Sequence, residues 1–271
     1  MTGPGRHTGS ALVDAPVRVP APDDAASRAA RARIDARAKP LGSLGAAEDL
    51  AVWWAGVRGV ADPAPPGRAA LVVLAGDHGV TDRGVSAYPA AVTAAMVRTF
   101  VSGGAAAAVL AREAGVALHV VDVAVDTDWA GVALPAAVTA GKVRRGSRPL
   151  DAEDALTGGE LRAAVALGAR LADSLVDAGH DLVLTGDMGI GNTTPAAAVV
   201  AALTGRPAAE VVGRGTGVDD AGLARKRRAV ADGLARLGEA TPDGPAGWEV
   251  VRRVGGADLA AMAARSAPPT R

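Results

Sequence analysis

Short apolar runs alternate along this chain with longer stretches whose apolar residues recur at helical spacing. The runs at 69–74, 117–125 and 182–185 are rich in valine and leucine and have the length of strands. Helical periodicity marks 25–38, 46–60, 90–100 and 105–114, the last two separated by Gly103 and Gly104. Further helices are expected over 195–203, 219–237 and 248–264, the last interrupted at Gly255 and Gly256. Thr157 and Glu160 have the spacing of a capping box, so another helix is expected from there to residue 177, with Gly179 ending it. The stretch 126–150 reads as irregular. Asp77, Asp122 and Asp187 lie at or near the strand ends. This alternation predicts an α/β fold of Rossmann-like type, a parallel sheet with helices on both faces, plus a small helical subdomain from the N- and C-terminal parts. Ligands of such sheets bind outside the carboxyl ends of the strands. Residues 1–24 are rich in Pro, Gly and Ala without a period and are expected to be a disordered tail, leaving 25–271 as a single α/β domain.

Composition narrows the picture. Hydrophobic residues make up 49% of the chain but aromatics only 2%, so the core must be built from Ala, Val and Leu. The net charge is zero and no basic stripe is present, which argues against a nucleic-acid partner. Without cysteine there is no thiol chemistry. The first twenty residues lack the continuous apolar segment of a signal peptide, and 188–205 carries Asn192, Thr193, Thr194 and Pro195, so it does not read as a membrane span. A cytoplasmic protein without a membrane partner is expected. No His-Glu-x-x-His or paired-carboxylate spacing occurs, so neither a metal nor a cofactor is expected.

The chemistry concentrates where the third apolar run ends, at Gly186, Asp187, Met188, Gly189, Ile190, Gly191, Asn192, Thr193 and Thr194. Glycines let a turn tighten and bring bare N–H groups to a ligand, and a helix start with hydroxyls attracts phosphate. Thr193 or Thr194 is expected to cap the helix, with Pro195 at its first position. The turn has neither the lysine of a P-loop nor the third glycine of a dinucleotide fingerprint. Asp187 and Asn192, wedged into the same turn, favour a site over an ordinary capped turn. Three other segments stand out: Lys39 to Gly45; Gly76, Asp77, His78, Gly79 and Val80, continuing to Ser86, Tyr88 and Pro89; and Gly213, Arg214, Gly215, Thr216 and Gly217, ahead of a helix carrying Arg225, Lys226, Arg227 and Arg228. His78 has two readings, a residue that orients substrate or a turn histidine bonded to backbone. Ser86 and Tyr88 could line a pocket for an aromatic base. By charge alone the run at 225–228 is a solvated helix face.

In this order the motifs resemble those of the nicotinate-nucleotide–dimethylbenzimidazole phosphoribosyltransferase family, from about Lys39 to about Ala264. The resemblance implies transfer of phosphoribose from nicotinate mononucleotide to 5,6-dimethylbenzimidazole, giving α-ribazole 5′-phosphate and nicotinate for the lower ligand of cobalamin. It implies a homodimer. It assigns substrate and phosphate binding to Gly189, Gly191, Asn192, Thr193, Thr194, Gly213, Gly215, Thr216, Gly217 and Lys226, with a base pocket of Asp77, His78, Ser86, Tyr88 and Met188. Family members usually carry Glu where this chain has Asp187, and Phe-Glu where it has Ala257 and Asp258. Their C-terminal Gly-Glu-Gly motif, whose glutamate is the proposed base, has no counterpart up to Arg271. Asp187 is then the best-placed carboxylate. The alternative is a non-catalytic relative that binds a nucleotide or a benzimidazole.

Overall fold

The computed structural model describes residues 19–238 and 246–264. They divide into two compact units, one within Pro16–Gly67 and one within Arg68–Arg271. The sequence reading instead joined 25–271 in one domain. The division falls after the proline-rich link at 62–66, which forms no helix or strand. Most of the expected tail lies outside the described residues, but Asp23, within it, caps the first helix by accepting from Ala26 N at 2.8 Å.

The smaller unit holds α1 (Asp24–Asp35) and α2 (Ala46–Arg58). They pack closely because Gly56 has no side chain: a Cβ there would lie 2.4 Å from Ser27 Oγ. Buried Glu48 accepts from Lys39 Nζ at 2.8 Å and from Leu44 N at 3.1 Å, which ties the turn at 39–45 to α2.

The larger unit contains β1 (Ala69–Gly76), α3 (Ala91–Val101), α4 (Ala106–Glu113), β2 (Ala117–Ala124), α5 (Ala136–Thr139), α6 (Gly158–Asp177), β3 (Leu182–Met188), α7 (Thr193–Thr204), α8 (Ala208–Val211), α9 (Asp220–Leu237), α10 (Ala246–Val254) and α11 (Ala257–Ala263). The strands pair in parallel in the order β2-β1-β3. Their period of two sorts the core. Ala70, Val72 and Leu74 pack with Leu161, Ala164 and Val165 of α6 and Ala260 and Ala261 of α11. Val73 and Ala75 face Ala94, Val97 and Phe100 of α3 and Ala108 of α4. Both faces are thus covered by helices, as the alternation of elements demands. A third apolar cluster joins α7, α9 and α10 through Ala198, Val230 and Val254.

Two packing details bear on the site. The capping box forms, with Thr157 Oγ1 accepting from Glu160 N at 3.2 Å and Glu160 Oε2 from Thr157 N at 2.7 Å. On the same helix a Cβ at Gly168 would lie 2.0 Å from the carbonyl oxygen of Ala261, so α11 rests directly on this glycine. Residues 91–113 match a membrane span in length and mean hydropathy (1.5), but they form two helices broken at Gly103 and pack Val97 and Phe100 against the sheet.

Candidate active site

The site lies where β1 and β3 run out. Residues 77–79 are pinned by a segment of the stretch read as irregular. Ser147 N donates to Asp77 O and Gly79 N to Ser147 O, both at 2.7 Å, while Ser147 Oγ accepts from Ala257 N at 3.1 Å. One buried serine therefore joins the turn after β1 to the start of α11. From the other side comes the glycine turn after β3. A Cβ at Gly189 would lie 2.0 Å from Gly76 O, so only glycine fits. Gly191 has φ +84, which L side chains disfavour, and sits against Thr81 Oγ1. Thr93 Oγ1 of α3 accepts from Ile190 N at 3.0 Å.

Four acidic or imidazole side chains converge in this crevice. His78 Nε2 lies 2.9 Å from Asp258 Oδ2, and both residues are buried. The contact is an ion pair without the alignment of a hydrogen bond. Asp187 lies close enough to Asp258 to feel its charge, and its Oδ2 accepts from Asn192 Nδ2 at 2.8 Å. Asp77 Oδ2 accepts from Asp126 N at 2.8 Å. Asp77 Oδ1, His78 Nδ1 and Asp187 Oδ1 are shut off from solvent without a hydrogen-bond partner.

These groups set one another's charge. Burial opposes a positive His78, but the carboxylates of Asp258, Asp187 and Asp77 outweigh it and raise the imidazole above its ordinary value. Burial and then the neighbouring Asp258 push Asp187 up to about 8. Burial works against the Asp258 carboxylate too, yet the attraction of His78 holds it below its ordinary value. Burial raises Asp77. At neutral pH the cluster therefore holds an ionised Asp258 and a protonated Asp187, and these acids favour the charged form of His78.

A cationic centre lies at the start of α7. Lys226, on α9, is 1% exposed, and its Nζ donates to Thr193 Oγ1 at 2.7 Å. Burial depresses its ammonium. A Cβ at Gly215 would lie 2.7 Å from this Nζ and 2.8 Å from Thr193 Oγ1, and Gly215 has φ +54. Beside it Thr216 Oγ1 accepts from Ala87 N at 3.0 Å and lies 3.2 Å from Ser86 Oγ, joining the two loops.

The residues singled out in the sequence thus fall into three groups. Asp77, His78, Asp187, Gly189, Gly191 and Asn192 share the crevice. Thr193, Gly215 and Lys226 meet beside it, with Ser86 and Thr216 bonded nearby; Thr194 is fully buried with no partner for its hydroxyl. Gly213 and Gly217 flank Gly215 in the same loop. Tyr88 is exposed, and Met188 packs toward α3, because strand alternation sends it to the face opposite Asp187. The helix start differs from the expectation: α7 begins at Thr193, its N-cap is Asn192, and neither threonine caps it. The Asn192 side chain is drawn instead to Asp187. Asp258 and Ser147 were not anticipated. The glycine pair ahead of Asp258 was the available signal, since a Cβ at Gly256 would lie 2.5 Å from Asp258 Oδ1. Among the described residues no grouping of His, Asp and Glu has the arrangement of a metal site.

A family profile described as phosphoribosyltransferase matches residues 19–267. Nicotinate-nucleotide–dimethylbenzimidazole phosphoribosyltransferase of Mycobacterium marinum is 54% identical over 245 residues, 90% of this chain and 66% of the relative. The Mycobacterium tuberculosis protein of the same name is 53% identical over the same shares. The crystal structure of CobT from Thermus thermophilus superposes with a TM-score of 0.79 at 44% identity, covering 88% of this chain and 69% of that one. The chain spans 66% of the length of these curated mycobacterial relatives.

Proposed function

The chain belongs to the phosphoribosyltransferase family, and from that premise we propose that it transfers phosphoribose from nicotinate mononucleotide to 5,6-dimethylbenzimidazole. The products are α-ribazole 5′-phosphate and nicotinate. The observation that carries this reading is Lys226, an ammonium removed from water with a hydroxyl as its hydrogen-bond partner. A buried cation calls for an anion. The start of α7 supplies a further donor, Thr193, and the glycine loops at 189–191 and 213–217 let a phosphate approach the backbone. Holding the phosphate holds the ribose, so that C1′ meets its nucleophile in line.

Two further demands of the reaction are met. The pyridinium of the nucleotide leaves as an uncharged ring and needs no acid. The benzimidazole must lose its ring proton, and an ordinary carboxylate is a weak base for that task. Asp187, raised to about 8, is better matched to it. We assign the flat base to the crevice bordered by Asp77 and His78, with Ser86 and Tyr88 at its margins; Met188, turned toward α3, takes no part. A cytoplasmic homodimer completes the reading; the exposed Leu50, Trp53 and Val57 on α2 support an apolar contact with another protein surface.

The test is nicotinate release from the two substrates, followed by chromatography, with calorimetry of nicotinate mononucleotide alongside. Lys226→Ala should weaken nucleotide binding by about 1–3 kcal/mol, the worth of a charge-assisted contact. No nicotinate release by the unaltered chain, or unchanged nucleotide affinity in the variant, would overturn the reading.

A further inference from the structure

Asp258 is given no substrate of its own by the reading above, yet it is the most enclosed acid of the crevice. It is fully buried, it lies 2.9 Å from His78 Nε2, and Asp187 at the end of β3 is its other charged neighbour. Among the described residues neither of its oxygens has an aligned donor. The space around it is cut to an aspartate: a Cβ at Gly76 would come within 3.2 Å of its Cγ, and one at Gly256 within 2.5 Å of its Oδ1. Two neighbouring carboxyls in such a place cannot both be ionised without great cost, so the pair keeps one proton at neutral pH. The charged groups that face Asp258 are His78 and Asp187, with Asp77 beyond His78. From β2, Asp122 is already engaged by Lys142, and α6 turns apolar residues toward α11.

We propose that Asp258 is a positioning residue for the transfer step: braced by His78, it shares a proton with Asp187 and makes that carboxyl the stronger base. The inference rests on the transferase reading above. In the step itself a ring nitrogen of the benzimidazole forms its bond to C1′. The bond from C1′ to the nicotinate nitrogen breaks, and its electron pair leaves with nicotinate. The proton on the other benzimidazole nitrogen passes to Asp187 in the molecules whose Asp187 has lost its own proton, a fraction that grows as pH rises toward about 8. Negative charge on Asp258 raises the affinity of Asp187 for that proton. His78 keeps Asp258 ionised while this happens.

The experiment uses the full chain with carbonyl-labelled aspartate, its Asp258→Asn and Asp187→Asn variants, and two readouts. Carboxyl NMR titration needs no substrate. The unaltered chain should show one carboxyl titrating above neutral pH. In Asp258→Asn that titration should move down toward the ordinary carboxylate range, and in Asp187→Asn it should disappear. The second readout is the pH profile of nicotinate release. In Asp258→Asn the rise of kcat with pH should shift to lower pH, with the plateau reduced about tenfold to a hundredfold, while KM for nicotinate mononucleotide stays the same. A high titration that ignores Asp258→Asn or persists in Asp187→Asn overturns the proposal, as does a fall in kcat with no shift of the profile. Should Asp258→Asn not fold, the Asp187→Asn titration still decides. Should the unaltered chain release no nicotinate, the transferase reading fails and takes the assigned chemical role with it, while the titration still reports on the shared proton.

Discussion

Two acids stand at the same end of the sheet and are treated in opposite ways. Asp122, near the end of β2, is fully provided for: Oδ1 accepts from Val125 N at 2.8 Å, and Oδ2 accepts from Trp129 Nε1 at 2.6 Å and meets Lys142 Nζ at 2.8 Å. Lys142 in turn donates to the carbonyls of Val125 and Thr127. At the end of β3, Asp187 has one amide partner, a second acid as its other neighbour, and an oxygen with nothing to bond. The first arrangement holds a loop. The second keeps bonding capacity in reserve, at a cost in stability that only a ligand or a reaction justifies.

The sharpest way to break this contrast is to remove each acid. Asp122→Ala leaves Lys142 and Trp129 without their acceptor, and urea denaturation should show a loss of about 3 kcal/mol. Asp187→Asn should do the reverse. The folded-state pKa of Asp187 lies above the unfolded one, so its contribution is fully present below about pH 4 and is lost as pH rises toward about 8. The variant should therefore match the unaltered chain near pH 4 and exceed its stability by about 1 kcal/mol or more at pH 8. Equal losses in both variants at pH 8 would erase the distinction.

Glu160 sharpens the comparison from the satisfied side. It caps α6 and pairs with Arg148 at 2.9 Å and Arg144 at 2.9 Å. Burial opposes its charge, but these partners and Thr157 hold it down to about 2. Its depressed value means stability present above the ordinary glutamate range and lost as pH falls through about 2. Glu160→Gln should cost about 1–2 kcal/mol at pH 7, and the gap should close in strong acid. Smallest is the effect of Arg228→Ala. This arginine is exposed and, among the described residues, pairs only with Asp232 at 3.1 Å, so stability should move by less than about 0.5 kcal/mol and nucleotide affinity not at all. A clear loss of affinity there would extend the cationic centre along α9 beyond Lys226.

What could be read in advance was what depends on near neighbours. The three strands, the capping box at Thr157 and the helix break at Gly255 and Gly256 follow from spacing within a few residues, and each is found within a few positions of its expected place. The strand before the glycine turn runs on to Met188, because pairing with β1 extends it, and that places Asp187 inside a strand rather than in a loop. Lys226 was marked by its motif context, but its burial comes from α7 and the loop at Gly215 folding over it. Asp258 and Ser147 were missed for a related reason. Ser147 has no local pattern and Asp258 only the glycine pair ahead of it, and each acquires its place only when α11 closes on the turn after β1.

The contact between Gly168 and Ala261 sets a dimension of the crevice from outside it. The glycine acts as a shim of zero thickness beneath α11, whose first turn carries Asp258. A single methyl group added there would have to lift the helix by roughly an ångström or more, because packed interiors have no slack to absorb it. The gap between Asp258 and His78 would widen without any change to either side chain. The calibration of the crevice is thus written in a residue on α6 that meets none of the crevice's groups, and drift in the chemistry can begin where no one studying the crevice alone would look.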